Sequence, residues 1–502
     1  MPAEYFQRIQ ETTRKDPYYP VWHIAPKCGL MNDPNGLCEI NGIHHIFYQW
    51  FPAGPVHGLK HWYHLTTKDF IHYEDHGVAM YPDTESDSYG CYTGMALKEG
   101  EKVHVFYTGI ENEEMIPCTC YARFDGEKLT DRKKIVEMDP DQTTMNYRDP
   151  YVWKRDSEYW MLTGAESKEH EGILMLYRGK QADSYEYAGR VRLLQNGQEA
   201  MLGYMLECPN YYEENQKGVL FCSPMGISSE NKYDYKNVFS VVYMIGKPLD
   251  TERKEFHFPE MYELDKGFDF YAPQSYEDEK HRRILFGWLG NSKSEYPTDK
   301  NNWAHMLTLP REIRIEEERL VQQPVEELKQ LRANERSITE HIKVEECSFE
   351  LEGNTESAFS IEIGNKDGNC LTFSADGEEY CLNRSDMTEV YAEKFGTIRY
   401  AKQLEKKQTV RVMVDRSSIE IFCDHGKTVF TSRMFIAHVS YVKVKNLSGK
   451  FYDLAFKNSL LALRDFADYK ELFKYEFPLY YGDIISEYSK KYRGNSYLKS
   501  SL

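Results

Sequence analysis

Short apolar strands separated by polar hairpins recur five times in the first 320 residues. The stretches are "NDPNGLCEINGIHHIFYQW" from Asn32, "YTGMALKEGEKVHVFYTG" from Tyr92, "RDPYVWKRDSEYWMLTG" from Arg148, "ECPNYYEENQKGVLFCSP" from Glu207 and "YAPQSYEDEKHRRILFGW" from Tyr271. Each has a turn-prone opening, a short strand, a polar hairpin and an apolar strand ending in aromatics. The starts lie 60, 56, 59 and 64 residues apart. A period near 60 built from strand–hairpin–strand units predicts a β-propeller of five blades, in which each blade buries its faces against its neighbours. A string of unrelated hairpins in a sandwich would not keep so even a spacing.

The pattern changes after the fifth repeat. "PVEELKQLRANERS" after Pro324 predicts a short linker helix, and residues 340–457 alternate in short strands around "GN", "DG" and "HG" turns, as a β-sandwich would. The expected fold is therefore all-β. It comprises a five-bladed propeller over 1–320, a linker over 321–339, a sandwich over 340–457 and a C-terminal extension over 458–502. In that extension "LLALRDFADYKELFKY" has helical apolar spacing.

In a propeller the first strand of each blade lines the central channel, whose mouth is a natural pocket. Asp33, Asp149 and Glu207 open or adjoin repeats one, three and four, so they are expected to converge there. "NDPNG" would be a poor helix and a poor central strand. It suits an inner strand entering a tight channel. Two carboxylates facing a sugar perform retaining glycoside hydrolysis, one as nucleophile and one as acid, while a third can hold hydroxyls. Three acids could also bind Ca²⁺, but that reading wants more oxygen ligands at close spacing than these motifs show.

Composition narrows the partners. Aromatics make up 14% of the chain, with 39 Tyr, which suits strands and sugar stacking. A net charge of −18 argues against nucleic acid and anionic membranes. The 11 Cys lack paired metal spacing, so neither a disulfide framework nor a structural zinc is expected. With no apolar leader at the N-terminus and no long apolar segment, a cytoplasmic protein without cofactor or metal is expected.

The ordered set "MNDPNG" (31–36), "FYQW" (47–50), "HW" (61–62), "YTG" (107–109), "YRDP" (147–150), "ECP" (207–209), "GW" (287–288), "WAHMLTLPRE" (303–312) and "VDRSSIEIFCDHGKTVFTSRMF" (414–435) resembles glycoside hydrolase family 32, the β-fructofuranosidases. The resemblance implies a five-bladed propeller followed by a β-sandwich. It implies Asp33 as nucleophile, Glu207 as acid/base and Asp149 as transition-state stabiliser. Asn32, Gln49, Trp62, Tyr92, Thr93 and Arg148 match sugar-pocket positions. Leu30, Tyr63 and Met95 depart from the family's usual Trp, Gly and Ser and are expected around the pocket, bearing on specificity.

The implied substrate is sucrose, sucrose 6-phosphate or a short fructooligosaccharide. Fructosyl transfer through the same intermediate is the alternative, and a non-catalytic fructan-binding protein is disfavoured by the presence of all three acids. Lys60, in "GLKHW", is the candidate reader of a phosphate at the rim. The sandwich is expected to give structural support, and it or the C-terminal extension would supply any homo-oligomer contact.

Overall fold

The computed structural model describes residues 3–456; the expected helical extension, 458–502, lies outside them. The protein is a five-bladed β-propeller followed by a β-sandwich. The inner strands of the blades are Gly29–Ile40, Cys91–Glu99, Thr143–Arg155, Met205–Glu214 and Tyr271–Glu277. Each packs against the inner strands of both neighbours, and the fifth returns to the first. Within a blade the strands run antiparallel. Large apolar and aromatic side chains fill the wedges between blades. Phe47, Trp62, Cys91, Val105 and Tyr107 make one such seam.

The ring is closed from outside its own order. Gly29–Leu30 pairs in parallel with Trp303–Ala304, a segment that follows the second strand of blade 5. Gly29 N–H also donates to Asn302 O at 2.7 Å. This covers the edge that blade 1 would otherwise expose.

The chain between the two domains differs from the expected linker. Residues 319–324 are the outer strand of blade 5, and Pro324 ends it at an edge where no donor is needed. One 3-10 helix follows, Glu326–Leu331. Arg332–Ser337 then pairs with Ser448–Leu454 as a sandwich strand. Little chain is left free to flex. An N-terminal helix, Ala3–Arg14, was not expected; Thr13 ties it to blade 5 through Asn301 O at 3.1 Å.

Two six-stranded sheets form the sandwich. Its buried contact with the propeller combines apolar packing, in a core shared by both domains, with paired charges. The Asp415 carboxylate accepts N–H bonds from Val21, Trp22 and His23 at 2.7–2.9 Å. His23 bridges Asp415 and Glu420, at 3.0 Å to each. Glu420 also accepts from Leu309 N–H at 2.8 Å and from Arg311 at 2.5 Å. Buried charges persist only when they are paired and hydrogen-bonded in this way.

Candidate active site

Every inner strand loses register with its neighbour at one equivalent place. The breaks fall between Met31 and Pro34, Cys91 and Gly94, Arg148 and Tyr151, Glu207 and Asn210, and Tyr271 and Gln274. These are β-bulges, which twist a strand and re-aim its side chains. The sequence dictates them. Pro34, Pro150, Pro209 and Pro273 cannot donate to a ladder. Blade 2 uses Gly94 instead, where a Cβ would lie 2.0 Å from Phe106 O. The residue before the proline takes a positive φ in blades 3 to 5, with 64° at Asp149, 48° at Cys208 and 44° at Ala272. Such strain is of order 1–3 kcal/mol per residue and marks functional sites.

The bulges make two tiers of side chains. The upstream tier is Asn32, Tyr92, Arg148, Glu207 and Tyr271, and the next residues form the other: Asp33, Thr93, Asp149, Cys208 and Ala272. In the second tier, Thr93 donates its hydroxyl to Asp33 Oδ2, and Gln49 donates to that hydroxyl at 2.5 Å. Cys208 Sγ lies 3.7 Å from Asp33 Oδ2 and 3.5 Å from Asp149 Oδ2, and Cys208 N–H donates to the latter at 2.9 Å. In the upstream tier, Arg148 meets Glu207 Oε1 through Nε and Nη2 at 2.9 and 2.8 Å. Tyr271 OH donates to Glu207 Oε2 at 2.5 Å. Three acids from blades 1, 3 and 4 therefore share one end of the channel.

Burial drives the electrostatics. It pushes the Asp33 carboxyl above the ordinary carboxylate range; the bonds from Thr93 and Asn32 hold it back, Glu207 adds to the rise and Lys60 opposes it. Burial likewise pushes Asp149 up to about 7, with Arg148 opposing and the charges of Glu207 and Asp33 adding. Burial and the neighbouring Asp149, Asp33 and Glu207 push the Cys208 thiol well up. It stays protonated, and its single S–H can donate to one of the two carboxylates at a time.

The family model described as "Glycosyl hydrolases family 32 N-terminal domain" matches residues 23–324, and "Glycosyl hydrolases family 32 C terminal" matches 313–455. The chain belongs to glycosyl hydrolase family 32. It is 43% identical over 450 residues to the sucrose-6-phosphate hydrolase of Vibrio alginolyticus, covering 88% of this chain and 91% of the relative. To that of Staphylococcus xylosus it is 32% identical, over 89% and 93%. The solved sucrose-6-phosphate hydrolase from Lactobacillus gasseri matches with a TM-score of 0.84 at 28% identity, over 91% and 97% of the two chains. A Bombyx mori GH32 beta-fructofuranosidase matches with a TM-score of 0.75 at 27% identity, over 90% and 97%.

Within this family 32 site, the residues singled out from sequence divide. Asn32, Gln49, Thr93 and Arg148 stand beside the acids, each bonded to one directly or through one side chain. Tyr92 opens the blade 2 bulge. Trp62 does not offer a face to a sugar. It is fully buried (0% exposed) in the seam between blades 1 and 2, and its Nε1–H donates to Tyr92 O at 3.0 Å. It supports the pocket from behind because its strand position points into the wedge.

Leu30, Tyr63 and Met95 are buried as well. Tyr63 packs on Tyr48 and Trp50 and bonds Asp75, and Met95 lines the cavity of about 620 Å³ nearer the other end of the inner strands. Lys60 is not on the rim: it is 2% exposed and bonded to Asn32. Tyr271 was missed as a site residue although it opens the fifth repeat, which was the available signal.

Proposed function

We propose that the chain is a retaining β-fructofuranosidase acting on sucrose-type substrates, with sucrose 6-phosphate as its principal substrate. The observation that carries the mechanism is the meeting of Asp33, Asp149 and Glu207 on three bulges of one channel end. Sucrose 6-phosphate is favoured by the names of the relatives, 43% and 32% identical over most of their length.

Asp33, fixed by Asn32 on Oδ1 and Thr93 on Oδ2, attacks the anomeric C2 of the fructosyl unit. As the C2–O bond to the glucosyl unit breaks, Glu207 gives its proton to the leaving oxygen. The product is a fructosyl ester on Asp33. Water then attacks C2, Glu207 takes its proton, and the ester bond breaks to release fructose and restore Asp33. Asp149 holds fructose hydroxyls and stabilises the developing positive charge, and Arg148 orients Glu207. A cytoplasmic setting fits the eleven free thiols, which a reducing compartment preserves.

Side-by-side kcat/KM values for sucrose 6-phosphate, sucrose and kestose test the substrate. A preference for sucrose over its 6-phosphate would overturn the phosphorylated choice. Trapping the fructosyl enzyme and sequencing the labelled peptide tests the mechanism, since an adduct on Asp149 or Glu207 overturns it.

A further inference from the structure

The mechanism above assigns no work to a lysine, yet one ammonium is buried two bonds from the nucleophile. Lys60 ends the loop over residues 52–60, between the second and third strands of blade 1. Its backbone is pinned to blade 2, since Cys91 N–H donates to Lys60 O at 2.9 Å. Its Nζ donates to Asn32 Oδ1 at 2.7 Å and to His57 Nδ1 at 3.1 Å. Asn32 passes its Nδ2–H to Asp33 Oδ1 at 3.0 Å.

The donor inventory fixes both arms. An amide oxygen only accepts and its nitrogen only donates, so a cation on Asn32 Oδ1 leaves Nδ2 turned to Asp33. An ammonium only donates, so His57 Nδ1 is the acceptor and the ring proton sits on Nε2. His57 is exposed, with its ring 5.8 Å from the indole of Trp288.

We infer that Lys60 is a positioning residue: one buried ammonium holds Asn32 against the Asp33 carboxylate and sets His57 with its Nε2–H outward. The role rests on Asp33 being the nucleophile. The charge of Lys60 also favours the ionised Asp33. Burial pulls the ammonium itself down to about 7, against the pull of Asp33. His57, His61 and His305 also feel the charge of Lys60, and Lys293 lies near His57.

K60M tests this with sucrose as substrate. The expected result is a fall in kcat of about tenfold or more with KM within about threefold of wild type. The acid limb of kcat/KM should move to higher pH, because Asp33 loses a neighbouring positive charge. K60R should bring the limb back, since charge rather than shape sets it. An unmoved limb in K60M, or a limb that K60R does not restore, overturns the role. Trapping in the same preparations separates the two readings: an adduct away from Asp33 overturns the nucleophile, whereas an adduct on Asp33 with an unmoved limb overturns Lys60 alone. If K60M does not fold, N32A is read in its place. The relay requires its kcat to fall, and a wild-type kcat overturns it.

Discussion

Tyr271 and Glu207 occupy equivalent bulge positions on adjacent blades, and the phenol donates to the carboxylate across 2.5 Å. The same hydroxyl lies 3.1 Å from Ser223 O. With Arg148 on the opposite oxygen, Glu207 is held from both sides. Y271F keeps the ring and deletes the tether, so kcat on sucrose should fall by about ten- to a hundredfold. The loss should shrink for a fructoside with a low-pKa leaving group, which needs less help from the acid. Equal losses on both substrates would mean that the hydroxyl does not serve Glu207.

Removing the acid outright sharpens the same contrast. E207Q should lose about 10³-fold or more on sucrose and far less on the activated fructoside, as expected when proton donation is the missing step. A product ratio and rate unchanged on sucrose would exclude Glu207.

The activated substrate also exposes how Asp33 is tuned. Burial raises this carboxyl, and Thr93 and Glu207 act on it in opposite directions. As the proposed nucleophile Asp33 must be ionised, so activity should fall as pH drops through its raised value. T93V removes a bond that lowers that value and should move the acid limb to higher pH. E207Q removes no charge from the reacting form, in which Glu207 holds the proton it donates, and should leave the limb in place. An unmoved limb in T93V, or one displaced in E207Q, would contradict this assignment.

His23 makes stability depend on pH. Burial opposes its charge, but the bonds to Asp415 and Glu420 outweigh it and raise the imidazole to about 9 from 6.5. A raised value means that the charged form is favoured in the folded state. The stabilisation is therefore complete below pH 6.5 and is lost as pH rises through about 9, with a size on the order of 3 kcal/mol. In H23Q, denaturant unfolding should show a deficit that is largest below pH 6.5 and closes toward pH 9. A deficit constant across that window would deny the charge.

What the residue pattern reveals depends on whether a feature repeats. The openings at Asn32, Tyr92, Arg148, Glu207 and Tyr271 coincide with five bulges, because turn-prone residues and prolines leave a local signature in every blade. Asp33, Asp149 and Glu207 could therefore be brought together without coordinates. Trp62 and Lys60 leave no such trace. Whether a strand side chain faces the channel or the wedge between blades, and whether a lysine ends in solvent or under a neighbouring strand, is decided by segments distant in sequence. Arg332–Ser337 belongs to the stretch expected to form a linker helix after Pro324, yet pairing with Ser448–Leu454 makes it a strand. Asp415 and Glu420 were legible as part of a motif, but their targets, His23 and Arg311, were not.

The parallel pairing of Gly29–Leu30 with Trp303–Ala304 and the hold of Asp415 on Val21 have a consequence for birth on the ribosome. Val21 and Asp415 are 394 positions apart. At roughly 5–20 residues per second, the blade bearing Asp33 emerges about 20–80 s before the last group that fastens it. For the earlier part of that interval, until Trp303–Ala304 is made, its first strand has an open edge, exposed to other nascent chains. Nascent chains halted before residue 303 should therefore associate through blade 1 and hydrolyse nothing, however complete their first blade.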